Sequence, residues 1–125
     1  MLAAFLRKSL GEPFVWGQRD CALWAADWIK ERRGVDPATS IRGRYSTRLG
    51  CERFANRHGG LPAYADEILT GAGLERTDDP QPGDVGLIDT PDGPTVAVRV
   101  DLGWAIKAAR GIKIVPARHL MAWRV

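Results

Sequence analysis

Apolar positions recur with two different periods along this chain of 125 residues. In the first half the period is helical. Leu2, Phe5, Leu6 and Leu10 fall three to four residues apart, and Gly11 with Glu12 and Pro13 closes the segment, so a first helix is expected over roughly 2–10. Cys21, Trp24, Ala25, Trp28 and Ile29 follow the i, i+3, i+4, i+7, i+8 pattern, which places all five on one buried face of a second helix ending before Gly34. Val35-Asp36-Pro37 and Ile41-Arg42-Gly43 read as loop. Residues 46–57 and 62–70 read as two short helices separated by Gly59-Gly60. Helices thus dominate to about residue 72.

After Asp78-Asp79-Pro80-Gln81-Pro82-Gly83 the texture changes. Residues 84–88, 95–100, 104–108 and 112–115 are short runs rich in β-branched and apolar side chains, divided by turn signals at Pro91-Asp92-Gly93, Asp101-Leu102-Gly103 and Arg110-Gly111. An antiparallel meander of about four strands is expected over 82–125, with 120–125 as an added edge strand or final turn anchored by Trp123. Helices followed by consecutive strands predict an α+β fold with the helices on one side of the sheet. The length fits one domain, 1–125, large enough to bury a core without disulfide or metal staples.

Composition changes this picture little. With 45% hydrophobic and 26% charged residues, no low-complexity tract and no fixed repeat, the chain is of ordinary globular type. The net charge of +3 comes from basic residues scattered along the chain, which reads as a soluble surface and not as a nucleic-acid interface, though it also suits an acidic partner. At the N-terminus Arg7 and Lys8 follow the apolar run instead of preceding it and no small-residue cleavage pattern follows, so no signal peptide is expected and synthesis in the cytoplasm is. No apolar run is long enough to cross a bilayer. Cys21 and Cys51 lack CxxC spacing and histidine neighbours, so neither a metal nor another cofactor is expected, and without an export signal a Cys21–Cys51 disulfide is disfavoured.

The candidate chemistry lies at the start of the second helix. Asp20 is a good N-cap, and Cys21 then occupies the first helical position, where free N–H groups and the positive dipole end favour a thiolate. The plain alternative is a small apolar side chain heading a buried face. Gln18 is placed either to donate to an oxyanion beside Cys21 or to cap its own loop. Cys51, on a helix with Phe54, reads as packing, Trp16, Trp24 and Trp28 as core or cleft wall, and Asp84 as a turn residue.

Trp16-Gly17-Gln18-Arg19-Asp20-Cys21 at a helix start, followed by Pro82-Gly83-Asp84 opening a meander, resembles the NlpC-type cell-wall cysteine peptidases of the papain-like superfamily. The resemblance implies a papain-like NlpC-type fold with Cys21 at the nucleophile position. Among such proteins the chain looks most like the small peptidase-like proteins of phage tails and gene-transfer particles. That implies a place in a virion tail, tail-tip or hub proteins as partners, and the peptidoglycan stem peptide as substrate.

In the family a histidine opens the strand after the Pro-Gly-Asp strand; here Thr95 stands at that position. Lys107 stands near the position that orients the imidazole, but it is a donor only. His58 lies in the helical half, and His119 is the better candidate base because the C-terminal segment has a route back across the sheet. Loss of a general acid-base group costs ~10²–10⁴ in rate. Three functions therefore stand. The domain is a tail-tip or hub component whose activity is weak or lost; or Cys21 attacks a stem-peptide carbonyl with a rewired or partner-supplied base; or it is a cytoplasmic binding module.

Overall fold

The computed structural model describes residues 1–125 and has four helices and one five-stranded antiparallel sheet, an α+β architecture. Helix α1 spans Leu2–Ser9, α2 Cys21–Arg33, α3 Arg48–Arg57 and α4 Leu61–Gly71. The strands are β1 Val85–Thr90, β2 Gly93–Val100, β3 Gly103–Lys107, β4 Ile112–Val115 and β5 His119–Trp123. Their order in the sheet is β4-β3-β2-β1-β5, so the last strand returns to pair with the first. No helix is long and apolar enough to cross a membrane.

The helical face of the sheet carries the main core. Val85, Leu87, Val96, Val98, Val100, Ala105 and Trp123 point to one side and meet Phe5, Trp24, Trp28 and Ile29 from the helices. Phe5 lies against both tryptophans, with ring centroids 5.5 and 5.3 Å away. Their indole N–H groups still find acceptors: Trp24 donates to Ser9 Oγ at 2.8 Å and Trp28 to the Gly83 carbonyl at 2.7 Å. The second bond ties the middle of α2 to the Pro82-Gly83-Asp84 turn. Asp84 is indeed a turn residue, accepting from the Gln81 and Val125 amides.

Two features go beyond the periodicity. First, α2 is buried on two faces, because Leu23 and Ala26 pack separately against Ala38 under the loop that follows the helix. Second, the side of the sheet away from the helices is also covered, by its own residues. Trp104 lies flat over Gly86, where a Cβ would come within 2.5 Å of the indole ring, and with Ile88, Ala97 and Ala122 it forms a small second core.

The sheet opens at one place. Arg99 exchanges main-chain bonds with Asp84 and Gly83, so alternate residues of β2 (Val96, Val98, Val100) turn their peptide groups toward β3. Val98 and Val100 pair there with Ala105 and Gly103, but the ladder stops short of Val96. Beyond that point the start of β2 stays with β1, while β3 continues to Lys107 alongside β4.

Candidate functional site

The N-terminus of α2 sits at this opening. Asp20 caps the helix as its sequence position predicts, accepting the Leu23 N–H at 3.0 Å on Oδ1, and Cys21 follows as the first helical residue. The same carboxylate does more than cap. Oδ2 accepts the Gly17 N–H at 3.1 Å and the Tyr45 hydroxyl at 2.7 Å, so a carboxylate 1% exposed holds the Trp16–Asp20 loop, the helix and the loop before α3 together. Gly17 has φ 81°, and a side chain there would strike the Tyr45 carbonyl, so glycine is required by both conformation and space. Arg42 secures the far end of the loop with a two-point bond to Asp36 (2.8 and 3.2 Å) and a 2.8 Å ion pair with Asp27 on α2.

Cys21 points its thiol at the opening in the sheet, where Sγ donates to the Lys107 carbonyl at 3.3 Å. Burial, and after it the negative charge of Asp20, push this thiol up to about 11, against an ordinary 9.0. Burial and the adjacent carboxylate thus act against the thiolate that a helix start favours. Lys107 offers no compensation. Its side chain is 2% exposed and its Nζ is taken by the Gly111 and Ala108 carbonyls at 2.7 and 3.3 Å; burial, then the charge of Arg19, hold it below the usual lysine range. Arg19 itself faces Glu12 at 3.5 Å.

Around Cys21 runs a cleft of about 460 Å³. Trp16, Cys51 and Leu61 line its helical side, and Thr95, Ile106 and Val115 line the sheet side. Cys21 and Thr95 therefore line the same cleft. His119 and Gln18 are not part of it. His119 pairs with Ile88 on the outer strand β5, its ring 6.1 Å from Trp104 on the side of the sheet away from the helices. His58 caps α3 and stacks on Tyr64 at 4.2 Å. Gln18 is exposed, and it is the main-chain N–H of this residue that bonds, to the Val15 carbonyl. Both cysteines are free thiols, and no three His, Cys, Asp or Glu side chains converge in a way that would hold a metal ion.

A family model matches residues 1–125 from end to end. The chain belongs to DUF6950, a domain of unknown function. No curated protein and no solved structure matches it. In this DUF6950 chain the residues that sequence reasoning missed are Tyr45 and the Lys107 carbonyl. The signal for Tyr45 lay just past the Ile41-Arg42-Gly43 loop, where Arg42 and Tyr45 turn out to bind α2 and the cysteine loop. A carbonyl acceptor has no sequence signal.

Proposed function

We propose that the chain is an NlpC-like domain that serves as a component of a phage-type tail tip or hub, keeping the peptidase cleft as a binding site while its hydrolytic activity is weak or lost. The observation that carries this reading is the setting of Cys21: Sγ donates to the Lys107 carbonyl, burial and the charge of Asp20 push its pKa up to about 11, and no imidazole lines the cleft. At pH 7 a thiol of that pKa is ionised to only about one part in 10⁴. Attack on a peptide carbonyl needs the thiolate, and expulsion of the amine needs a proton donor. Neither is supplied by Thr95, whose hydroxyl neither takes up nor releases a proton near neutral pH. The tail-tip placement is supported by the Trp16–Cys21 and Pro82–Asp84 motifs and their resemblance to small phage-tail peptidase-like proteins.

The test is the pH dependence of Cys21 alkylation by iodoacetamide in a Cys51→Ser background, with the same rate measured on unfolded protein. The expected result is a slow reaction that rises only toward pH 11. A fast reaction at neutral pH, together with release of peptides from purified peptidoglycan, would replace this reading with that of an active cysteine peptidase. Absence of the protein from purified tail particles would remove the tail-tip role.

A further inference from the structure

The opening in the sheet leaves part of β2 without a neighbour. Its ladder with β3 ends at Val98 and Ala105, although β2 begins at Gly93 and β3 runs on to Lys107. Residues 94 and 96 share the alternation of Val98, so the Val96 N–H and C=O and the Pro94 carbonyl face the side that β3 has vacated. The two edges of the gap are filled differently. On β3 the Lys107 carbonyl accepts from Cys21 Sγ, which closes that edge with the start of α2. On β2 no main-chain bond from a loop reaches Val96 or Pro94, and the Thr90 and Thr95 hydroxyls that flank them both turn to the Gly93 carbonyl. Pro94, Thr95 and Val96 line the cleft, so this edge borders its open space.

Unpaired peptide groups along a strand are a template for another strand, with main-chain bonds supplying affinity and alternate side chains supplying specificity. We propose that the cleft binds an extended segment of another protein, which pairs with β2 in the place that β3 leaves and runs antiparallel to it, as β3 does at Val98 and Val100. The hydrogen-bonding groups set the extent of the pairing. One guest residue exchanges both bonds with Val96, and the residue two further on donates to the Pro94 carbonyl, where proline has no N–H in need of an acceptor. The cleft offers apolar contacts on both sides of such a strand, Trp16 and Leu61 from the helical side and Ile106 and Val115 from the sheet side, which suits β-branched guest residues. Past Pro94 the guest reaches the β1–β2 turn, where Asp89 and Asp92 are exposed and make no ion pair. The cations of the cleft lie elsewhere: Arg48 is matched by Glu52, and Lys113 is on β4, two strands from β2. A lysine or arginine at the C-terminal end of the segment therefore completes the match. The proposal rests on reading the cleft as a binding site, and it holds whether or not Cys21 reacts.

The test uses the whole chain and the peptide acetyl-Thr-Val-Val-Thr-Lys-amide, followed by amide NMR. Two relatives of the peptide carry two extra methyl groups each: one has both valines N-methylated, which removes a main-chain donor in either register, and the other has isoleucine in place of both valines. The expected result is that the parent peptide shifts the amides of Thr95, Val96 and Ala97 and slows exchange of the Val96 N–H. The isoleucine peptide should bind like the parent, and the N-methylated one about tenfold or more weaker. The double variant Asp89→Asn, Asp92→Asn should weaken the parent by about threefold while leaving a norleucine-for-lysine peptide unaffected. Equal binding of the N-methylated and isoleucine peptides would overturn the strand pairing and leave the binding cleft standing. Shifts confined to the β1–β2 turn would overturn it also, as attraction of charge alone. If no peptide perturbs the cleft, the strand site is overturned, while the alkylation rate of Cys21 tests the loss of activity separately.

Discussion

Asp20 carries more of this site than the cysteine beside it. One buried carboxylate accepts from Leu23, Gly17 and Tyr45, and by doing so fixes both the start of α2 and the loop that faces it. Tyr45→Phe removes a bond to a charged acceptor and is expected to lower stability by about 1–3 kcal/mol, read by urea denaturation. The same environment makes the thiol a pH-dependent group. An unfolded Cys21 loses its proton near pH 9 and the folded one near 11, so between these values the unfolded state binds fewer protons and stability falls as pH rises. Tyr45 and Cys51, both raised chiefly by burial, add slopes of the same sign at alkaline pH. Cys21→Ala is therefore expected to flatten the loss between pH 9 and 11 by on the order of 1–2 kcal/mol without abolishing it, measured by thermal or urea unfolding across that range. The position of Cys21 at a helix start was legible in the sequence, because Asp20 and the apolar period mark it. Its ionisation was not, because that depends on how deeply the thiol is buried and on a carbonyl 86 residues away.

At the level of elements, the helices and strands follow the expected periods closely, since each has a turn signal or a cap at its ends. What the periods left open was partnership. That β5 pairs with β1, and that Trp104 covers the outer side of the sheet, depend on contacts between residues distant in sequence. The second buried face of α2 escaped notice for a related reason: alanines carry little hydrophobic signal, yet Ala26 with Leu23 meets Ala38 there. The link from α2 to the turn before β1 rests on Trp28, and Trp28→Phe should cost about 1 kcal/mol through loss of the bond to Gly83, measured against a Trp24→Phe control by chemical unfolding. Between α2, α3 and α4 lies an apolar space of about 70 Å³ lined almost wholly by hydrophobic residues. At about 24 cal/mol per Å³, a cavity of about 70 Å³ represents ~1.7 kcal/mol, so Ala55→Val is expected to raise stability by up to that amount, as a shift in the urea midpoint at constant slope.

Over the whole molecule the helices are held unequally. Helices α1, α2 and α4 contribute to the main core, whereas α3 makes its principal contact with α4 and offers Phe54 and Ala55 to the apolar space beside α2. Native-state hydrogen exchange should therefore find the amides of 48–57 opening at lower free energy than those of 23–33. An equal protection of the two helices would show that α3 is bound into the global unit.

The distribution of tryptophans gives the molecule an optical property of its own. Trp24, Trp28, Trp104 and Trp123 are all sealed in the two cores, at most 2% exposed, while Trp16 alone of the five lines the cleft, edge-on to Phe14 at 4.8 Å. Four indoles thus supply a constant background, and the fifth stands in the wall of the cleft. The cleft carries its own fluorophore: quenching by a small soluble quencher, with Trp16→Phe as the blank, would count occupancy directly and without a label.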